Sequence, residues 1–197
     1  MLGDDGAMAK TYGKLAGRLR DFVLAQPVYF VATAPREGGH VNVSPKGGRG
    51  TLAVLGPREV AYLDYTGSGV ETIAHLRENG RITLMFCAFE GPPKIVRLAG
   101  TGTVVQPGEP RWDKLAAHFA GCPQAGVRSV IVVELDRIAD SCGWAVPFMD
   151  YVGEREVLAD YHERKTPAYL ATYRAEKNAA SIDGLPGLPA PSVPAAG

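Results

Sequence analysis

Apolar residues return along this chain in two rhythms. From Thr11 to Gln26, Leu15, Leu19, Phe22 and Val23 recur at helical spacing with Lys14, Arg18, Arg20 and Asp21 between them, which predicts an amphipathic helix lying on a core and ended by Pro27. Beyond Pro27 the runs shorten. Val28 to Ala34, Val41 to Val43, Thr51 to Leu55 and Val60 to Asp64 are β-branched or aromatic, and Gly38-Gly39, Gly47-Gly48 and Gly56-Pro57 separate them, so they predict an antiparallel meander.

Helical spacing resumes at Val70, Ile73, Ala74 and Leu76 and stops at Asn79-Gly80, a C-terminal signal. Arg81 to Phe89 and Lys94 to Val105 then read as strands around Gly91-Pro92-Pro93, Pro110 to Ala120 as a helix, and Val127 to Ile138 as a long strand. Glu154 to Tyr173 predicts one or two helices broken near Pro167. Strands this regular, with helices only between some of them, predict a mainly β fold with flanking helices (α+β): a closed or nearly closed barrel in which the strand edges are hidden. The expected organisation is a flexible N-terminus over 1–10, one domain over 11–183, and a disordered tail over 184–197, where prolines alternate with small residues.

Composition narrows the function classes. Lys plus Arg and Asp plus Glu both number 21, so no net field favours nucleic acid and any anion site must be assembled locally. No apolar run approaches the roughly 20 residues of a membrane helix, and residues 1–10 carry no leader pattern, so a cytoplasmic protein is expected. Cys87, Cys122 and Cys142 are too few and too far apart for a disulfide framework or a C-x-x-C pair. His40, His75, His118 and His162 lack metal-ligand spacing, so no metal is expected. No G-x-S-x-G elbow or other nucleophile motif marks a catalytic residue, and none is assigned.

One stretch carries chemistry. In Tyr62-Leu63-Asp64-Tyr65-Thr66-Gly67-Ser68-Gly69-Val70-Glu71-Thr72 a strand runs into a glycine-bearing loop that opens a helix. The first N–H groups of a helix are unpaired and partly positive, glycines allow close approach of backbone, and Thr66, Ser68 and Thr72 add hydroxyl donors, an arrangement suited to a phosphate. A phosphomonoester carries about −1.5 to −2 charges at neutral pH, so a cation is needed as well. Lys46 in Val43-Ser44-Pro45-Lys46-Gly47 is the first candidate and Arg49 the second. Ser68-x-x-Glu71 equally satisfies a capping box that needs no ligand, and Lys46 can be a solvated turn residue.

Three segments in order, Val43 to Gly47, Tyr62 to Gly69 and Glu71-Thr72-Ile73-x-His75-Leu76-x-Glu78-Asn79-Gly80-Arg81-Ile82-Thr83-Leu84-Met85-Phe86, resemble the pyridoxamine 5'-phosphate oxidase-like, FMN-binding split-barrel family. Ser141-Cys142-Gly143-Trp144-Ala145-Val146-Pro147 and Ser181 to Leu188 resemble one uncharacterised branch of it. The resemblance implies a six-stranded antiparallel split β-barrel, a homodimer, and FMN held without a covalent bond between the subunits. It implies that Lys46, Ser68 and Thr72 hold the phosphate, that Ser44, Pro45, Asp64, Tyr65 and Thr66 line the ribityl chain and ring edge, and that Gly47, Gly67 and Gly69 belong to the same cofactor-binding set. Arg97, and Cys142, Gly143 and Trp144 from the other chain, are implied near the ring; Trp144 as core and Arg97 in a surface ion pair with Glu90 are the structural alternatives.

An FMN-dependent oxidoreductase acting on an unidentified small molecule or electron donor is therefore the expected function, the cofactor carrying the hydride or electron chemistry. A non-catalytic flavin or haem carrier and a reductase using the deazaflavin F420 are the alternatives. Residues 184–197 lack the phosphate-binding segment with which the pyridoxamine 5'-phosphate oxidases proper end, so resemblance of fold does not carry that substrate with it.

Overall fold

The computed structural model describes residues 10–189; the expectations for residues 1–9 and 190–197 lie outside the described residues. Eight strands build one antiparallel sheet: β1 (Thr11–Tyr12), β2 (Val28–Thr33), β3 (Asn42–Gly47), β4 (Leu52–Gly56), β5 (Glu59–Tyr65), β6 (Arg81–Cys87), β7 (Ile95–Val105) and β8 (Val127–Ser141). Their order is β3-β2-β6-β7-β8-β5-β4, with β1 added to β8.

Six strands were expected and eight are present. Seven strands correspond to the apolar runs of the sequence and the eighth is the two-residue β1; β8, 15 residues long, pairs with β7 over Val130–Ser141, with β5 in its first half and with β1 at Ile138–Ala139. The expected meander over residues 28–64 is also corrected. Two hairpins, β2–β3 and β4–β5, form instead, and they lie at opposite ends of the strand order. The sheet curls so that these ends approach, and the gap between β3 and β4 is the split in the barrel.

The first helix is shorter than its periodicity predicts. Gly17, at φ 54°, breaks the helical path, so α1 spans only Arg18–Ala25, while Thr11–Tyr12 joins β8 and the Tyr12 hydroxyl donates to Asp140 at 2.6 Å. Leu15 still reaches the core from the connecting segment. Helix α2 (Glu71–Asn79) ends at Gly80, φ 73°, as predicted from Asn79-Gly80. It fills one end of the barrel with Ile73 and Leu76, against Val31, Tyr62, Leu84, Phe86, Leu98 and Ile131.

A second apolar cluster lies on the outer face of β5 and β8. There α3 (Trp112–Ala116) and the turn of 3₁₀-helix after it seat Leu115 and Phe119 on Leu63, Val105 and Val130. Two C-terminal helices follow, α4 (Val157–Glu163) and α5 (Pro167–Lys177), the second capped by Thr166, whose hydroxyl accepts the Tyr169 N–H at 3.1 Å. Pro167 at the start of α5 separates them.

Residues 184–188, expected to belong to a disordered tail, are folded. Residues 178–188 fold back along α2: Ile182 N–H donates to Glu71 at its start, the Arg77 guanidinium near its end donates to Gly187 O, Leu188 N–H donates to Asn178 O at 2.7 Å, and Leu188 is buried in the main core. Proline and glycine at 184–187 shape a tight return here rather than a solvated coil.

Candidate functional site

The split in the barrel is bridged by charge. Strand alternation puts Asn42, Ser44 and Lys46 on one face of β3, opposite Thr33, Val31 and Tyr29 of β2. Lys46 Nζ crosses the gap to donate to Asp64 Oδ1 on β5 at 3.0 Å, and lies 5.8 Å from the centre of the buried Tyr62 ring. From β8, Arg128 Nε donates to Asp64 Oδ2 at 2.6 Å and Ser129 Oγ to the same oxygen at 3.2 Å. Asp64 is fully buried. Burial by itself would raise its pKa, but the charges of Lys46 and Arg128 and their hydrogen bonds bring it down to about 2. Two cations against one carboxylate leave this cluster with a surplus positive charge.

The turn from β5 to α2 stands directly beyond Asp64, and its carbonyls are held from inside. His162 Nε2 donates to Thr66 O at 2.9 Å, Asn178 Nδ2 to Gly67 O at 2.9 Å and to Ser68 O at 3.4 Å, and Arg128 Nη1 to Gly69 O at 2.8 Å. Arg128 Nη1 also donates to Asn178 Oδ1 at 2.9 Å, so the two anchors fix each other. With four successive carbonyls turned inward, the N–H groups of Gly67, Ser68 and Gly69 donate to no atom among the described residues. The first helical bond of α2 runs from Ala74 N–H to Val70 O at 2.9 Å, leaving the earlier N–H groups at the helix end unpaired.

The capping box does not form. Val70 is the N-cap residue, and exposed Ser68 makes no capping hydrogen bond. Hydroxyls complete the donor set instead. Thr66 Oγ1 is buried with no partner among the described residues, and Thr72 Oγ1 accepts from Asn42 Nδ2 at 3.1 Å, which leaves its own proton to donate. Ser44 Oγ donates to Asn42 Oδ1 at 3.1 Å. The Glu71 carboxylate opposes an anion here: it lies where a Cβ on Gly69 would stand and accepts the Ile182 N–H at 3.3 Å. The turn thus offers an anion unpaired backbone N–H groups, two threonine hydroxyls and the surplus charge behind them.

Two buried histidines back the turn. His75 Nδ1 is 3.0 Å from Thr33 Oγ1, and His162 stacks on Tyr65 at 6.1 Å between ring centres. Burial lowers the pKa of both; for His162 the bond to Thr66 O opposes that shift and the charge of Arg174 adds to it. Tyr65 donates its hydroxyl to Pro123 O at 2.8 Å and, through burial, is raised to about 12.

Other residues singled out from the sequence lie elsewhere. Pro45 and Gly47 face outward from β3. Arg97 points away from the barrel interior and donates to Ser141 Oγ at 3.0 Å, not to Glu90. Gly143 is packed so closely on the Lys94 backbone that a Cβ would not fit, Cys142 is exposed, and Trp144, 76% exposed, is not a core residue. Arg49 reaches away from the turn, its guanidinium 5.0 Å from the Tyr151 ring centre. Among the described residues no cluster of His, Cys, Asp or Glu forms a metal site, and no helix is long and apolar enough to cross a membrane.

The sequence reading missed Asn42, Arg128, His162 and Asn178. Arg128 had a signal, being a lone cation at the head of the apolar run Val130 to Val133, as did Asn42, alternating with Ser44 and Lys46. Asn178 and His162 had none, because their partners are about a hundred residues away.

An antiparallel split barrel with an anion-ready turn at the head of its second helix defines the class. Residues 15–142 match the family described as pyridoxamine 5'-phosphate oxidase. A pyridoxamine 5'-phosphate oxidase family protein of Aspergillus flavus, ustO, is 41% identical over 193 residues, covering 90% of this chain and 77% of that protein. The chain belongs to the pyridoxamine 5'-phosphate oxidase family. A HupZ variant from Group A Streptococcus shares the fold, with a TM-score of 0.53 at 21% identity over 64% of this chain and 99% of that one. An FMN-binding protein from Syntrophomonas wolfei aligns with a TM-score of 0.46 at 14% identity, over 60% of this chain and 78% of that one.

Proposed function

We propose that this protein binds FMN without a covalent bond and serves as an FMN-dependent oxidoreductase, with the flavin phosphate held at the β5–α2 turn. The observation that carries the reading is the anchoring of the carbonyls of residues 66–69, with the N–H groups of Gly67, Ser68 and Gly69 left without an acceptor among the described residues. Family membership agrees with it.

When bound, FMN supplies two-electron or hydride chemistry. The chain's own residues bind and orient. Thr66, Ser68 and Thr72 donate to the phosphate, Lys46 supplies charge while held by Asp64, and Arg128 and Asn178 fix the turn without touching the ligand. Ser44 and Asn42 continue the polar row along β3 toward the ribityl chain.

A homodimer belongs to the same proposal. Pro45, Phe30, Met85 and Arg97 form a continuous outward row across β3, β2, β6 and β7. Val43 beside it is 59% exposed and Trp144 76%. A second copy laid on this outer face would cover them and bring Arg97, Cys142, Gly143 and Trp144 to the neighbouring flavin.

Purified protein stripped of ligand is titrated with FMN and with riboflavin, then exposed to NADH or NADPH without oxygen. FMN bound well above riboflavin, in a dimeric species bleached by a donor, is the expected result. Failure to take up FMN rejects the site; a yellow protein that no donor reduces leaves a carrier.

A further inference from the structure

A cleft of about 670 Å³ opens between α1, the turn joining β6 to β7, and residues 149–151. Its volume falls in the range of small-molecule sites, about 300–1,000 Å³. Its apolar walls include three aromatic side chains and a methionine: Phe22 from α1, Phe89 from the β6–β7 turn, and Met149 and Tyr151 from the segment after β8. That segment is tied down at the cleft, where Met149 N–H donates to Phe89 O at 3.1 Å.

Two cations lie on the aromatic walls. Lys94 Nζ is 5.7 Å from the centre of the Phe22 ring, and the Arg49 guanidinium is 5.0 Å from that of Tyr151. An aromatic face attracts a cation and shelters its stem, but it does not neutralise the charge. Neither Lys94 nor Arg49 forms an ion pair among the described residues, in contrast to Lys46 and Arg128. Arg18 is a third cation of the lining. Glu90 and Asp150 also line the cleft, and neither is paired with these cations.

We infer that this cleft is a binding site for a small molecule with a flat apolar body and a single carboxylate or comparable anionic group. The ring lies among Phe22, Phe89, Met149 and Tyr151, and the anion meets Lys94 and Arg49. Each is already positioned by its aromatic wall, so little side-chain freedom is lost when the anion arrives. The inference stands on the cleft's residues and does not depend on flavin at the β5–α2 turn.

Three isosteres separate charge from shape: 2-naphthoate, 2-naphthylmethanol and 2-naphthylmethylammonium, titrated calorimetrically into the full-length protein. Naphthoate should bind tightest. Lys94→Gln with Arg49→Gln should weaken it about tenfold or more, the loss expected for charge-assisted hydrogen bonds, while leaving the alcohol unchanged. Retained alcohol binding shows that the double variant is folded. Phe22→Ala should weaken all three ligands, and Val152→Ser, on the exposed segment outside the cleft, none. The inference is overturned if naphthoate does not bind, if the alcohol or ammonium binds as tightly, or if the double variant keeps full naphthoate affinity. FMN uptake followed in parallel keeps the two sites distinct, because its loss with naphthoate binding intact would count only against the flavin reading.

Discussion

Lys46 and Asp64 meet at 3.0 Å across the open seam of the barrel, joining a strand at one end of the sheet order to a strand of the hairpin at the other. The contact does two things. It closes the split without a hydrogen-bonded strand pair, and it holds an ammonium group beside the turn that carries the unpaired N–H groups.

Asp64→Asn leaves Lys46 and Arg128 facing each other in a buried site without a counter-charge. Removing one partner of a buried ion pair costs about 3–5 kcal/mol, and a loss of that order is expected in chemical denaturation. Lys46→Ala should cost less, because Arg128 still satisfies the carboxylate, yet should weaken FMN more than riboflavin. An Asp64→Asn protein of unchanged stability would contradict this account.

The same carboxylate sets an acid limit. Its folded pKa of about 2 lies below the ordinary 3.8, so its contribution is complete above 3.8 and is lost as the pH falls from there through about 2. Urea midpoints measured across that interval should drop more steeply for the native protein than for Asp64→Asn.

How far the sequence leads can be judged at the same residues. Alternating β-branched runs and glycine punctuation locate the strands, and Asn79-Gly80 marks the end of α2, because these signals are local. The Thr66 to Thr72 segment stands out because a strand, a glycine-bearing loop and a helix start follow one another directly. What converts that segment into a donor-rich turn is not local. Arg128 and Asn178 reach it from residues 59 and 111 positions away, and only the fold brings them there. The false meander has the same origin: Gly47-Gly48 looks like a hairpin turn, but β3 and β4 separate to opposite ends of the sheet. Gly17 shortened the first helix because apolar periodicity does not register a positive φ.

Asn178→Ala removes the donor to Gly67 O and Ser68 O and the acceptor for Arg128. The two carbonyls are part-buried, but the Arg128–Asn178 contact is buried, and a buried group left without its partner costs about 1–3 kcal/mol, which sets the expected loss of stability. The turn should also loosen, so FMN affinity should fall while riboflavin affinity changes little. Equal losses for both ligands would assign Asn178 to general packing instead.

Glu71 places an unneutralised carboxylate beside Gly69 of the proposed phosphate turn. Glu71→Gln keeps an acceptor for Ile182 N–H while removing a negative charge from the head of α2. Charges at helix ends contribute about 0.3–1 kcal/mol, so FMN should bind roughly two- to five-fold tighter at low salt, with riboflavin unaffected. Weaker FMN binding in this variant would mean that Glu71 assists the ligand and that the anion lies elsewhere.

His162 ties the C-terminal helices to the same turn, and its protonation should release them. Its Nε2 must donate, because Thr66 O can only accept, so the folded protein holds the neutral ring with Nδ1 buried and without a partner. Burial lowers its pKa and Arg174 adds to the effect, so the unfolded chain takes up a proton at a higher pH than the folded one. The contribution is therefore complete above the ordinary 6.5 and declines as the pH falls below it. His75, lowered in the same direction, adds to the decline. Thermal melts from about pH 8 to about pH 5.5 should show a falling midpoint, and His162→Gln, which keeps a donor without a titrating ring, should flatten the fall. A slope identical in both proteins would remove His162 from the account and leave the acid sensitivity to His75.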